Sequence, residues 1–87
     1  MVESVTMKAY KPGILAKQAI LRELRRRELA KLPPPSVVAL AAAIGEPRSS
    51  TDHHVAAMVT MGWVTRTRGR TAAVSLTDLG RTAAPTL

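Results

Sequence analysis

Cysteine and phenylalanine are both absent from this 87-residue chain, and its only aromatic residues are one tryptophan and one tyrosine. Without cysteine, disulfide bonds and cysteine-ligated zinc sites are excluded. The longest uninterrupted apolar run, Val37–Ile44, is too short to span a bilayer. The first ten residues lack a basic segment followed by an apolar block, so a secretory signal is not expected. These absences predict a soluble intracellular protein.

Acidic residues are also scarce. The chain has 6 of them against 13 lysines and arginines, which gives a formal net charge of +7. Such an excess favours a polyanionic partner, most often nucleic acid and sometimes an anionic membrane surface. Arginine outnumbers lysine, which suits bidentate contacts to phosphates or base edges.

The chain has no recognisable constellation for catalysis. The acidic residues are dispersed and offer no acid–base pair, and no glycine-rich phosphate loop is present. His53 and His54 are adjacent, so on a helix they diverge by about 100° and cannot share a metal as an (i, i+4) pair can. Ser49 and His53 have that (i, i+4) spacing, but nothing orients the imidazole. We therefore expect no enzymatic activity, no cofactor and no metal.

Helical periodicity predicts three helices before residue 62. The first begins near Gly13 or Ile14 and runs until the three prolines at 33–35 stop it. Its apolar side comprises Ile14, Leu21, Leu24 and Leu32, with Ile20 flanking them. The second is capped by Ser36 and closed by Gly45. Its predicted buried stripe is Val37, Leu40, Ala41 and Ile44. The third spans residues 47–61, with Pro47 in the first turn and Gly62 at its end.

The remainder of the chain reads as a hairpin and a short last helix. Residues 63–67 and 72–77 alternate as strands do, around the turn Arg68-Gly69-Arg70. Thr77 is placed to cap a final helical turn before Pro85. The predicted fold is mainly α with a small β-hairpin, a winged helix-turn-helix with a three-helix core plus a wing. We assign residues 1–12 to an N-terminal arm, 13–84 to this domain and 85–87 to a tail.

The third helix is expected to leave one polar face free. At about 100° per residue, Thr51, Val55 and Met58 fall on one side, which should pack on the other helices. The opposite side carries Ser49, His53, Ala56 and Thr60, with Asp52 at its edge and Arg48 near its start. A major groove admits one helix with short or hydrogen-bonding side chains, so Arg48, Ser49, Ser50 and His53 are candidates for contacts with bases or phosphates. The alternative is an ordinary solvated helix face.

Two further groups of basic residues are visible. Arg66, Arg68 and Arg70 alternate, so they should share one side of the hairpin and suit a phosphate backbone, with the tip at the neighbouring minor groove. The alternative is a basic edge that keeps the hairpin soluble and unpaired. The cluster late in the first helix comprises Arg22, Arg25, Arg26, Arg27 and Lys31, with Glu23 and Glu28 between them. A solvated or dimer-flanking face is favoured there, because Glu23 and Arg27 form an (i, i+4) pair.

Several of these residues carry a resemblance to known families. The positions Leu40-Ala41, Gly45, Val55, Met58, Gly62 and Val64 have a spacing that resembles the winged helix-turn-helix of bacterial MarR-like regulators. Leu76-Thr77 and Gly80-Arg81 are similar to the segment that follows the wing in that group. The Pro-Pro-Pro-Ser segment before the second helix is similar to LexA-type repressor domains. The resemblance covers residues 14–84.

The resemblance implies sequence-specific binding to double-stranded DNA, usually as a homodimer, by a cytoplasmic, nucleoid-associated regulator, and a repressor is expected. The groove-facing residues it implies are Arg48, Ser49, Ser50, Asp52 and His53, and those of the wing are Arg66, Arg68 and Arg70. The long terminal helices and the self-cleaving domain of these families are missing, so no small-molecule effector or autoproteolysis is expected. No membrane partner is expected either, because the apolar side of the first helix lacks bulky aromatic residues and is needed for the core. Two alternatives are a protein-interaction module using Trp63 and the arm, and non-specific binding to RNA or the nucleoid.

Overall fold

The computed structural model describes residues 13–68 and 72–84. Within these ranges, four helices and two strands follow one another along the chain. They are α1 (Gly13–Leu29), α2 (Val37–Ile44), α3 (Arg48–Thr60), β1 (Val64–Arg66), β2 (Val74–Leu76) and α4 (Asp78–Ala83). This order confirms the predicted three-helix core followed by a hairpin. The predicted arm (1–12) and tail (85–87) lie outside the described residues.

The apolar side of α1 differs from the prediction at its two ends. Its buried residues are Ala16, Ile20, Leu21 and Leu24. The prediction that Ile14 and Leu32 share this side is wrong, because they are 57% and 46% exposed. Leu21 and Leu24 are buried as predicted, and Ile14 is only about 20° round the helix from Leu21, so its exposure follows from its position in the first turn, beyond the core, and not from helical phase.

α1 also ends earlier than predicted, at Leu29 instead of at the prolines. Lys31 adopts the left-handed conformation, with φ 60°. The Leu32 amide then donates a hydrogen bond back to the carbonyl of Arg27 at 2.9 Å. This arrangement closes the helix at Leu29, four residues before the first proline, and carries Leu32 away from the core.

Both ends of α2 form as predicted. The Ser36 hydroxyl accepts a hydrogen bond from the Ala39 amide at 3.1 Å, so Ser36 is the N-cap. Gly45 takes a left-handed conformation (φ 71°) and its amide donates to the Ala41 carbonyl. The predicted stripe Val37, Leu40, Ala41 and Ile44 is buried along its whole length.

α3 starts one residue later than predicted. Pro47 has an extended backbone (φ −61°, ψ 149°), so it is the N-cap and not a residue of the first turn. Thr51, Val55 and Met58 are buried, which confirms the predicted core side. The buried Thr51 hydroxyl donates to the Pro47 carbonyl at 3.0 Å, so its burial leaves no polar atom unsatisfied.

The wing, defined here as β1, β2 and the chain between them, is an antiparallel pair of three-residue strands. Val64 lies opposite Leu76, and Arg66 lies opposite Val74. The strands are shorter than predicted because the regular ladder changes at the next step. There the Ala73 amide donates to the Thr67 hydroxyl, at 2.8 Å, instead of to a carbonyl. Part of the predicted turn, including Gly69 and Arg70, lies outside the described residues.

The helices and the wing share one hydrophobic core. Its buried members are Ile20, Leu21, Leu24, Val37, Leu40, Ile44, Val55, Met58, Val64, Val74 and Leu76. The Val74 amide also donates to the Pro35 carbonyl at 2.9 Å, which attaches β2 to the segment before α2. The wing is therefore anchored at its base, and its position relative to α3 is set by the core. No helix within 13–68 or 72–84 has the length and apolar character needed to cross a membrane.

Candidate nucleic-acid interface

The side of α3 that faces away from the core is small and polar. Ser49, His53, Ala56 and Thr60 are all exposed, opposite the buried Thr51, Val55 and Met58. No bulky side chain stands on this free face, which we define by these four exposed residues. A helix with such a face can approach the base edges of a major groove closely.

The N-terminal end of α3 adds charge and free backbone donors to this face. Arg48 is exposed and Ser50 is half-buried. No side chain among the described residues caps this end of the helix. Amides in the first turn of a helix lack carbonyl partners within the helix and favour an anion. Arg48, Ser49 and Asp52 surround an open depression of about 390 Å³ at this end.

One edge of the free face is joined to the wing by an ion pair. Arg66, at the end of β1, donates from Nη2 to Oδ1 of Asp52 on α3 at 2.5 Å. Asp52 therefore lies at the edge of the free face and not at its centre. The pair crosses from strand to helix, so the base of the wing lies beside this edge of the free face.

Beyond this ion pair, an open groove of about 490 Å³ separates α3 from the wing. Its lining is Ala56, Val59, Arg66, Thr67, Arg68 and Ala72. Arg68 is exposed, and no ion pair to it is found within the described residues. Small side chains on the helix and guanidinium groups on the wing give this groove the character of a site for an anionic chain. Arg70, the third predicted wing arginine, lies outside the described residues.

The other edge of the free face meets α1 at a polar cluster that the sequence analysis missed. Lys17 Nζ lies 3.4 Å from Nδ1 of His54, and Nε2 of His54 lies 3.4 Å from the Ser50 hydroxyl. Lys17 and His54 are 37 residues apart, so only the packing of α1 on α3 brings them together. The helical phase of α3 placed His54 beside Ser50, but nothing in the sequence indicated Lys17 as their neighbour.

Burial lowers the pKa of His54 below its usual value, and the positive charges of Lys17 and His53 lower it further. Glu46 acts in the opposite direction and does not outweigh them. These effects therefore favour the neutral form of the His54 imidazole. His53, its neighbour, has its ring centroid 5.9 Å away in an edge-on arrangement, and its side chain lies on the free face.

The basic cluster late in α1 is engaged in ion pairs. The predicted pair between Glu23 and Arg27 is present at 2.7 Å, and Arg26 contacts the same carboxylate at 2.8 Å. Hydrogen bonds from these arginines, that of Arg26 foremost, hold the pKa of Glu23 below its usual range.

Glu28 joins this cluster to α4. It contacts Arg25 at 3.0 Å and Arg81 at 2.9 Å, and the Arg81 hydrogen bonds hold its pKa below the usual range. Arg25, Arg26 and Arg27 therefore link turns of α1 through Glu23 and Glu28, and Glu28 attaches α4 through Arg81. This agrees with the predicted solvated face better than with phosphate binding.

Comparisons with known proteins agree on the architecture. A family model described as the IclR helix-turn-helix domain matches residues 27–68, which run from the end of α1 into the wing. The matching model is thus that of the IclR helix-turn-helix domain, and the MarR-like and LexA-type regulators are families similar to it. Comparison with curated protein sequences gave no match.

Two solved structures have the same fold. RV1404 from Mycobacterium tuberculosis superposes with a TM-score of 0.66 at 24% sequence identity, over 77% of this chain and 45% of RV1404. AF1382 from Archaeoglobus fulgidus superposes with a TM-score of 0.69 at 20% identity, over 77% of this chain and 74% of AF1382. The chain thus spans less than half the length of RV1404. At these identities the likeness is one of fold alone.

Proposed function

We propose that this chain, a winged helix-turn-helix domain of the type found in DNA-binding transcription regulators, recognises a specific duplex sequence with α3 in the major groove. The observation that carries the proposal is the common direction of the free face and the wing, joined by the Asp52–Arg66 ion pair. A helix in the major groove has a phosphate strand alongside it, and the groove between α3 and the wing lies where that strand would pass.

Each predicted residue has a role in this proposal. Ser49 and His53, both exposed on the free face, contact base edges. Arg48 and Ser50, in the first turn of α3, bind a base edge or the nearest phosphate together with the free backbone amides. Asp52 accepts a hydrogen bond from one nitrogen of the Arg66 guanidinium, which leaves the other N–H groups of that guanidinium to donate to a phosphate.

The wing supplies contacts that do not depend on sequence. Arg66 and Arg68 line the groove beside α3 and bind the phosphate strand from the wing side. Arg70 follows two residues after Arg68 in the sequence, and we propose that it reaches the adjacent backbone or minor groove. The alternation of the three residues supports this assignment.

The alternative of a protein-interaction module has less support. Trp63, its proposed anchor, is half-buried and packs against the core, so it offers little free apolar surface. Non-specific binding to RNA or the nucleoid depends on charge alone, and it gives no role to the small polar face of α3. The decisive experiment is therefore one that separates sequence-specific from charge-driven binding.

Selection of bound fragments from random duplex DNA tests the proposal. We expect one motif to be enriched and bound at least about 1000-fold more tightly than unrelated duplex DNA. We also expect the logarithm of the binding constant to fall steeply and linearly with the logarithm of salt concentration. Equal affinity for all duplexes, or tighter binding to an RNA of the same length, would contradict the proposal.

We propose that the regulator acts as a homodimer, because a single winged helix covers one half-site. Leu29 and Leu32 support a surface at the end of α1 for this contact, since they are 61% and 46% exposed. Sedimentation equilibrium on the selected duplex should give two chains of 9.3 kDa per palindromic site. One chain per site at saturation would contradict the dimer.

Repression is the regulatory outcome we propose, in the nucleoid of the cytoplasm, since occupancy of a promoter by a tightly bound domain is enough to exclude polymerase. A reporter promoter that overlaps the selected motif should lose activity when the chain is produced. A rise in its activity would identify an activator instead.

A further inference from the structure

The free face of α3 has two edges, and the proposed function describes a phosphate site formed by several residues on only one of them; on the other it names Ser50 alone. Asp52 and the wing lie along the first edge. Ser50 and His54 lie along the second, about 160° further round the helix from Asp52. A helix in a major groove, about 12 Å wide, is bordered by a phosphate strand on each side. The second edge should therefore also meet a phosphate strand.

The second edge is built from two helices. Lys17 on α1 approaches His54 on α3, and His54 approaches Ser50 one turn earlier, each at 3.4 Å. The first residue of α1 also borders the cluster, since a Cβ built on Gly13 would lie 3.6 Å from Lys17 Nζ and 3.8 Å from His54 Cε1. The start of α1 therefore lies beside the edge of α3.

The hydrogen-bonding roles in this cluster leave donors free. An ammonium group only donates, so Lys17 requires Nδ1 of His54 to be the acceptor. The ring proton of neutral His54 is then on Nε2, and it is donated to the Ser50 oxygen. The hydroxyl proton of Ser50 and two ammonium protons of Lys17 remain. Within 13–68 and 72–84, no carboxylate forms an ion pair with Lys17.

We propose that Lys17, His54 and Ser50 form a second phosphate-contact site, which binds the DNA strand on the side of α3 opposite the wing. The inference rests on the proposed DNA-binding function. The Ser50 hydroxyl and the Lys17 ammonium group, one from each helix, then bind one phosphate group, His54 positions them both, and α3 is held in the groove from both sides. The site fixes the depth and tilt of α3 and is independent of base sequence.

The test replaces Lys17 with glutamine and compares the variant with Arg22→Gln. Both changes remove one positive charge from α1. Arg22 is exposed, and it lies about 140° round the helix from Lys17, away from the proposed site. We expect K17Q to bind the selected duplex about 10-fold more weakly and to lower the magnitude of the salt slope by about 0.9. R22Q should change affinity less than about 2-fold and leave the slope unchanged.

A second readout distinguishes phosphate binding from a purely structural link between α1 and α3. A phosphate bound by Lys17 draws its ammonium group away from Nδ1 of His54 and favours the charged imidazole, so duplex binding should raise the pKa of His54, as followed by nuclear magnetic resonance of the ring nitrogens. Affinity should then increase as pH falls from 7.5 to 5.5, and His54→Gln should remove this part of the increase. The charged groups near His54 are Lys17, His53 and Glu46, so the ring nitrogens of His53 are followed separately in the same spectra, with the His53 side chain kept intact.

The outcomes separate this inference from the proposed function. If the parent chain binds its motif while K17Q and R22Q behave alike, and His54 keeps its pKa on binding, the second site is refuted and the proposed function stands. If K17Q loses affinity only in proportion to a loss of folding stability, with the same salt slope as the parent, the cluster is structural and the inference is refuted. If no duplex is bound above competitor DNA, both proposals fail together.

Discussion

Replacing Arg66, Arg68 and Arg70 together with glutamine should weaken binding to the selected duplex by about 100- to 1000-fold. A hydrogen bond to a charged group contributes about 1.5 kcal/mol or slightly more, so three such contacts account for this range after allowance for their solvent exposure. The magnitude of the salt slope should fall by about 2.7, because each phosphate contact contributes about 0.9. Loss of Arg66 also leaves Asp52 as an uncompensated negative charge beside the DNA.

The matched control removes the same charge elsewhere. Arg22, Arg25 and Arg26 are changed to glutamine, which lowers the net charge equally while leaving the wing intact. Arg25 and Arg26 already pair with Glu28 and Glu23, and Arg22 is exposed. We expect a loss of less than about 5-fold. Affinity is measured by fluorescence anisotropy at several salt concentrations. Equal losses in the two triple variants would mean that binding follows net charge alone, and the wing assignment would be wrong.

Gly80→Ala should be the most destabilising single substitution among the described glycines, lowering the free energy of unfolding by about 3 kcal/mol or more. A Cβ on Gly80 would lie 1.9 Å from the carbonyl oxygen of Trp63 and 2.9 Å from its carbon. That oxygen accepts a hydrogen bond from the Thr77 amide at 3.0 Å, where β2 gives way to α4. The substitution therefore forces α4 away from the strand segment that carries the wing.

Gly45→Ala is the matched control, because its added Cβ strains the left-handed backbone conformation but contacts no neighbouring atom. Gly45 has φ 71°, and nothing lies within 4 Å of its Cβ position, so only the strain of the left-handed conformation is expected, about 1 kcal/mol. Urea denaturation of both variants measures the difference. If G80A is no less stable than G45A, α4 does not pack on Trp63 as described.

The order of elements was predictable because the signals for it are local. Ser36 and Thr77 were predicted to cap helices. In each case the hydroxyl group accepts a hydrogen bond from the amide three residues later. Gly45 and Gly62 have positive φ where α2 and α3 end, and the need for this conformation arises from the local turn alone. The core side of α3 followed from a period of 3.6 residues, which is also a local property.

The errors in α1 have a different origin. The pattern placed Leu21 and Leu24 correctly, and the errors lie at the two ends, where Ile14 and Leu32 extend past the residues that the core packs against. The left-handed conformation of Lys31 was not predictable, because lysine rarely adopts it.

The sequence by itself determined the free face of α3, the position of the arginines along the wing and the caps that start α2 and α4. Periodicity, charge and turn chemistry act over a few residues, so they can be recognised in the sequence. Only the tertiary structure decided which groups meet across elements: Asp52 with Arg66, His54 with Lys17, and Glu28 with Arg81. The physical reason is that these pairs are 14, 37 and 53 residues apart and are brought together by the packing of a shared core, which no local pattern encodes.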